Sequence, residues 1–407
     1  MRRGWRWWLE SLALSLASLA VCAALLEAGA RLWVDLQARR QEHVMDPPIS
    51  RYDPQLGWFH VAGAERRVSR SEFDVRLKFN KHGLRGPDRD YAPPPGVRRT
   101  LVLGDSFAEG YYVDEGQTVA AVLEGLLRRC GPHEVINAGV QGYSTDQEYL
   151  FYLHDGRRYG SRLVLLLFYS NDLRYNTSPV GSGGEAKPYF EVDDRGALVR
   201  RNDPVPPPDP SRTSRARPGA HRPVPWRGSM ALRLLSNRTV DGNPPLHAVL
   251  SRLGLVEPVS RDAPIELWPY GPGHAREVEE EWRRTRAILA ALRAQVTADG
   301  ATLALLYVPV RFEVNDAVWQ LTRERYRLGR RWEVDRVFER LQEVCRDLDI
   351  PLIDPREPLR RSERSAAAYY TRDVHWNAVG NAIAAHAAEP LAREIFGCPG
   401  GESAPHR

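Results

Sequence analysis

From Thr100 onward, short apolar runs alternate with segments of helical length, and this alternation constrains the fold more than any other feature. The runs are "TLVLG", "EVINAG", "RLVLLLFYS", "TLALLYVPV" and "IPLID". Helix-length patterns lie between them near 117–129, 145–158, 275–298 and 332–348, and another follows the last run at 377–396. The middle runs are apolar at every position, so a sheet made from them has two faces to cover. The expectation is an α/β fold with a parallel sheet between helical layers.

Two stretches depart from this rhythm. Residues 35–97 alternate weakly, and "SRSEFDVRLKFNKHGLRGP" reads as a strand or two around a Gly-containing turn. Residues 176–270 are rich in Pro, Gly and Arg, and a structureless loop of that length fits poorly inside a compact core, so a surface insertion is expected. Within it, "KPYFEVDDRGALVRR" has the pattern of a hairpin turning at 194–196, while "SMALRLLSNRTV" and "LHAVLSRLGL" are of short-helix length. Its aromatics, Tyr189, Phe190, Trp226, Trp268 and Tyr270, would either stack on sugar rings or, more commonly, pin the insertion to the core. The expected organisation is an anchor at 1–34, a β-rich extension at 35–97, a main domain at 98–396 and a tail at 397–407.

The N-terminus is basic and aromatic, "MRRGWRWW", and is followed by nearly continuous apolar sequence. The run from Leu9 to Leu26, stretched to Ala30, approaches the ~20 residues that span a bilayer. Arg2, Arg3 and Arg6 place the N-terminus on the cytoplasmic side, with Trp5, Trp7 and Trp8 at the interface. Ala28–Ala30 offers small residues for signal cleavage, but the apolar run is longer than a usual signal core. A lipoprotein signal is disfavoured by Val21 before Cys22. An uncleaved signal anchor is the favoured reading, with the body of the chain outside the cytoplasmic membrane.

The 407 residues carry a net charge of +5, mostly from scattered Arg, which argues against a nucleic-acid surface. Beyond Cys22, the cysteines are Cys130, Cys345 and Cys398, so one disulfide is available in an oxidising compartment and no pair is preferred. No Cys or His spacing points to a metal, and no cofactor motif is present.

In parallel α/β sheets, ligands bind beyond the carboxyl ends of the strands. The first run ends at Gly104-Asp105-Ser106, the second at "NAG" with Gly139, and the third at "YSND" with Asn171 and Asp172; after the fifth comes "YYTRDVHWNAVGNAI" with Asp373 and His375. A serine needs a base to take its proton, a histidine supplies one, and a carboxylate orients that imidazole. The N–H groups of Ser106 and Gly139 and the amide of Asn171 are candidate donors to an oxyanion. Singly, each has a plainer use: Ser106 as a helix cap, Asn171–Asp172 as a turn, Gly139 as a strand end, Asp373 as a helix-terminal charge and His375 as a loop residue. Their convergence on one rim favours chemistry, with Asp105 as a structural hydrogen-bonding residue.

"LVLGDSF", "INAG", "YSND" and the late Asp/His pair resemble the SGNH, or GDSL-type, serine hydrolases, from about Thr100 to Ala392. The resemblance implies a flavodoxin-like three-layer fold with a five-stranded parallel sheet, and ester cleavage. Ser106 would be the nucleophile, His375 with Asp373 would complete the triad, and Ser106, Gly139 and Asn171 would form the oxyanion hole. Two positions depart from the pattern. Tyr169 stands where the family usually has Gly, and "DVH" is one residue shorter than the usual Asp-x-x-His, which makes Asp354 the fallback carboxylate. The short spacing with "HWN" is similar to that of membrane-anchored exopolysaccharide-acetylation proteins. The G-x-S-x-G elbow is lacking, which disfavours an α/β-hydrolase fold.

The leading expectation is therefore a membrane-anchored esterase acting on O-acyl groups, foremost acetyl groups of a carbohydrate. The alternatives are O-acetyl transfer to an extracellular polysaccharide and a non-catalytic binding or assembly protein that keeps the fold.

Overall fold

The computed structural model describes residues 2–42, 49–208 and 263–398, apart from Ser71, Ala366 and Arg372, together with scattered positions between 229 and 255. The chain divides into two compact units, one holding residues 1–45 and 217–261, the other 46–216 and 262–407. In the first, helix α1 (Arg2–Glu42) contains the segment Glu10–Trp33, with a mean hydropathy of 1.9, which is long and apolar enough to cross a membrane. Its Leu14, Leu19, Leu25 and Leu26 side chains are exposed. Trp226 and most of the two short helices expected at 229–240 and 246–255 lie outside the described residues.

The second unit opens with two antiparallel hairpins, β1 (Ser50–Asp53) with β2 (Gly57–His60) and β3 (Glu65–Ser69) with β4 (Asp74–Lys78). The main sheet starts with β5 (Arg98–Gly104), β6 (His133–Gly139) and β7 (Leu163–Tyr169). A third hairpin, β8 (Tyr189–Val192) with β9 (Leu198–Arg201), precedes the last two sheet strands, β10 (Thr302–Val308) and β11 (Leu352–Ile353). The five strands are parallel in the order β11-β10-β7-β5-β6. The strand order reverses between β5 and β7, the switch point at which such sheets leave a crevice beyond their carboxyl ends.

Side chains alternate across a strand, and here both sets are apolar. Leu101, Leu103, Val164, Leu166, Phe168, Leu303 and Leu305 enter one core. That core is closed by α4 (Thr145–His154), α6 (Ala275–Ala298) and α9 (Arg336–Asp347), through residues such as Phe151, Ile288, Leu292 and Leu341. Val102, Leu163, Leu165, Leu167, Ala304 and Leu306 enter the other core. It is closed by α3 (Val119–Leu127) and by the alanine stripe Ala384, Ala388 and Ala392 of α11 (Ala378–Ile395). Each fully buried Leu or Val contributes roughly 1.5–3 kcal/mol, and a sheet with two such faces is stable only as the middle of three layers.

The five strands and five long helices fall where the periodicity predicts them. Among the described residues two further helices of eight or more residues were not expected, α8 (Asp316–Tyr326) and α10 (Arg356–Glu363), nor was the single turn α7 (Arg311–Val314). Trp319 is the only buried side chain of α8, and α10 buries only Arg356 and Leu359, so neither carries an apolar stripe that a pattern can register.

The surface insertion expected over 176–270 is corrected at both ends. Asn176, Lys187, Val205 and Tyr270 are each almost fully buried, so 176–208 and 263–270 pack into the body. Residues 209–262 are almost wholly outside the described ones. Among the aromatics in this stretch, Phe190 packs on Tyr149 and Tyr270 on Phe312, as core pins. A disulfide joins Cys130, in the turn after α3, to Cys398 beyond α11, while Cys345 is free and buried on α9.

Candidate active site

The turn from β5 into the four-residue helix α2 (Ser106–Glu109) positions the candidate serine. Gly104 has φ +149°, and a Cβ there would stand 2.7 Å from that of Ala108, so only glycine allows the turn. The Asp105 carboxylate accepts the Phe107 N–H at 2.8 Å and caps the helix. Capping therefore falls to Asp105, and the Ser106 hydroxyl is left for another partner. Ser106 Oγ lies 2.7 Å from His375 Nε2, across 269 positions of sequence.

The histidine sits in the loop that leads into α11. Trp376 is buried, and the side chain of Asn377 caps α11 by accepting the N–H groups of Val379 and Gly380. The "HWN" run thus buries one residue, caps with another, and leaves the imidazole at the sheet edge. His375 Nδ1 is 2.5 Å from Asp373 Oδ1, which also accepts the His375 backbone N–H at 3.0 Å. The "DVH" spacing still brings carboxylate and imidazole together. Burial raises the Asp373 carboxyl, and the hydrogen bonds from His375 outweigh this and hold it below its usual value. The imidazole is flanked by Phe107 and Tyr112, whose ring centroids lie 4.7 and 4.4 Å away.

The fallback carboxylate Asp354 is held in a bidentate pair by Arg356 and has no bond to His375. Asn171 is the first residue of the short helix α5 (Asn171–Tyr175), at the end of β7 beside the switch point. Its Oδ1 is buried without a partner, and its amide nitrogen makes no hydrogen bond among the described residues. The Ser106 N–H is likewise unpaired among the described residues, as the first N–H of a helix commonly is. Tyr169, at the family's usual glycine position, packs its ring on Phe107 at 4.9 Å.

Gly139 behaves differently from the expectation. Its N–H donates to Asn137 Oδ1 at 3.0 Å, so the donor is already in use. A Cβ on Gly139 would lie 2.0 Å from the Glu109 nitrogen. The missing side chain makes room for α2 rather than for a substrate. In the same turn, the Gly142 N–H is unpaired among the described residues and its φ is +79°.

Several supporting residues carry no sequence signal. Arg85, almost fully buried, donates to the carbonyls of Glu109, Gly110 and Val113 and pins the chain after α2. The β3–β4 turn reaches the histidine loop, where Glu72 accepts the Thr371 N–H at 2.7 Å and Phe73 packs on Tyr112 and Tyr370. Among the described residues, no group of His, Cys, Asp and Glu could hold a metal ion.

A hydroxyl in contact with an imidazole, itself in contact with a carboxylate, at the carboxyl edge of a doubly wound parallel sheet, defines a serine-hydrolase type of site. The chain belongs to the GDSL-like Lipase/Acylhydrolase family, whose model matches residues 102–383, and it is an ester hydrolase of that family. Among solved structures it is similar to TesA, at 11% identity, covering 73% of this chain and 99% of that one, with a TM-score of 0.37. It is also similar to Axe2, an acetylxylan esterase from Geobacillus stearothermophilus, at 13% identity, covering 76% and 97%, with a TM-score of 0.36. No curated protein matches it.

Proposed function

We propose that the chain is a membrane-anchored serine esterase that removes O-acyl groups, foremost acetyl, from a carbohydrate outside the cytoplasmic membrane. The observation that carries the reading is the contact of Ser106 Oγ with His375 Nε2 at 2.7 Å, continued from Nδ1 to Asp373. His375 takes the Ser106 proton as Oγ attacks the acyl carbon, then returns it to the departing sugar oxygen. Asp373 orients the ring and stabilises the imidazolium. The oxyanion is met by the Ser106 N–H and the Asn171 amide. Water, deprotonated by His375, then releases the acid and frees the serine.

The apolar segment of α1 supports the anchor, and the Cys130–Cys398 disulfide supports an oxidising compartment. The short Asp-x-His spacing followed by Trp376 and Asn377, similar to that of exopolysaccharide-acetylation proteins, supports a polysaccharide substrate. The test is Ser106→Ala assayed with p-nitrophenyl acetate. Turnover should be lost while the circular dichroism is unchanged, and a fluorophosphonate should label the wild type alone. Equal turnover in the two proteins would remove Ser106 from the mechanism.

A further inference from the structure

A cavity of about 350 Å³ opens beside α2, at the small end of the range for ligand sites. Its walls include Trp58, His60, Arg66, Tyr111, Ser182 and Glu185, drawn from the first two hairpins, the chain after α2 and the segment before β8. It adjoins the active-site groups through α2: the Tyr111 N–H donates to the Ser106 carbonyl at 3.2 Å. The Tyr111 ring meets Tyr112 edge-on at 4.9 Å, and Tyr112 is the ring against His375.

The lining is built. Trp58 Nε1 donates to the Gln141 carbonyl at 3.0 Å, and its outer edge lies where a side chain on Gly181 would stand, 2.6 Å from such a Cβ. His60 is 4% exposed, with Nδ1 on the Gly83 carbonyl, its ring stacked on Phe79, and Nε2 3.4 Å from the buried Glu109 carboxylate. Glu109 in turn accepts the Gln141 N–H at 2.7 Å. By contrast, the Arg66 guanidinium, the Glu185 carboxylate and the Ser182 hydroxyl make no hydrogen bond or ion pair among the described residues. Polar groups at the opening are therefore free, while those beneath are fixed.

This chemistry selects the occupant. An acyl chain requires an apolar wall, and this one carries a cation, an anion and a hydroxyl. A ligand of a single charge meets both signs. A pyranose ring has apolar faces for Trp58 and Tyr111, and hydroxyls that both accept from a guanidinium and donate to a carboxylate. We infer that this cavity is a subsite for a saccharide unit of the substrate, next to the unit whose ester meets Ser106. The inference rests on the esterase reading and names the sugar-binding part of it.

The test uses the full chain in detergent and two substitutions outside the core, Arg66→Ala and Ser182→Trp, the second filling the cavity. With O-acetylated xylo-oligosaccharides and O-acetylated uronate oligosaccharides as probes, each variant's KM should rise relative to its own KM for p-nitrophenyl acetate. The expected rise in that ratio is about tenfold for Ser182→Trp and about threefold for Arg66→Ala. In a Ser106→Ala background, calorimetric titration with the deacetylated oligosaccharides should show binding that Ser182→Trp abolishes. Unchanged ratios in both variants, or no binding of any probe by the folded Ser106→Ala protein, would overturn the subsite. The titration reads the cavity without turnover, so its outcome stands apart from that of the Ser106 assay.

Discussion

At the residue scale, two neighbours separated by one peptide bond have opposite duties. Ser106 faces the imidazole, while Asp105, almost fully buried, caps α2 and lies within the field of Glu109 and His375. Burial pushes the Asp105 carboxyl up to about 6, against the opposing pull of the Phe107 N–H and His375. Its folded value is raised, so its contribution to stability is complete below the unfolded value of about 4 and is lost as pH rises through about 6. Asp105→Asn keeps a capping acceptor and cannot ionise. The variant should lose the decline across that window and gain up to roughly 3 kcal/mol over wild type above it. Urea unfolding midpoints at successive pH values check this, and parallel curves for the two proteins would refute it. The types of the candidate site residues were legible in the sequence, since a hydroxyl stands at the end of one apolar run and a carboxylate and an imidazole stand in the loop before the last helix. The sequence put Asp373 beside His375 with Asp354 as fallback, and the structure has Asp373 in that contact while Arg356 claims Asp354.

At the level of elements, the decisive contact is that of α2 on β6. Gly139 looked like an oxyanion donor because it ends the second strand, yet its N–H serves Asn137 and its bare Cα admits Glu109. Gly139→Ala should therefore act on folding, lowering stability by at least ~3 kcal/mol or preventing accumulation of the protein. Asn171→Ala should instead leave the melting temperature near wild type and reduce kcat by about 10²–10³, with KM little changed. Thermal melts beside steady-state kinetics separate the two, and a Gly139→Ala protein as stable as the wild type would refute the packing role. The hairpins of the extension show the same lesson. Weak alternation suggested a strand or two where the structure has two hairpins, and Glu72 and Phe73 reach the histidine loop only through packing.

Over the whole molecule, the Cys130–Cys398 disulfide closes 268 positions of sequence and ties the tail of α11 to the end of α3. Cys130→Ser should cost about 2–4 kcal/mol, and reductant should lower the wild-type melting temperature towards that of the variant. Identical melts with and without reductant would show that the bridge contributes nothing. The full chain should remain in the membrane pellet after alkaline carbonate extraction, as a span of the length Glu10–Trp33 predicts; recovery in the supernatant would remove the anchor from the proposed function.

The sequence by itself determined the parallel layered fold, because doubly apolar runs and helical periods are local patterns that permit few architectures, and it offered the candidate site residues by type. It could not choose the cysteine pair, show that 176–208 and 263–270 pack into the body, distinguish a donor glycine from a packing glycine, or reveal the cavity beside α2. Those were decided by tertiary structure alone. Each depends on which groups meet from distant parts of the chain, and a hydrogen bond or a missing Cβ has meaning only once its partner is in place.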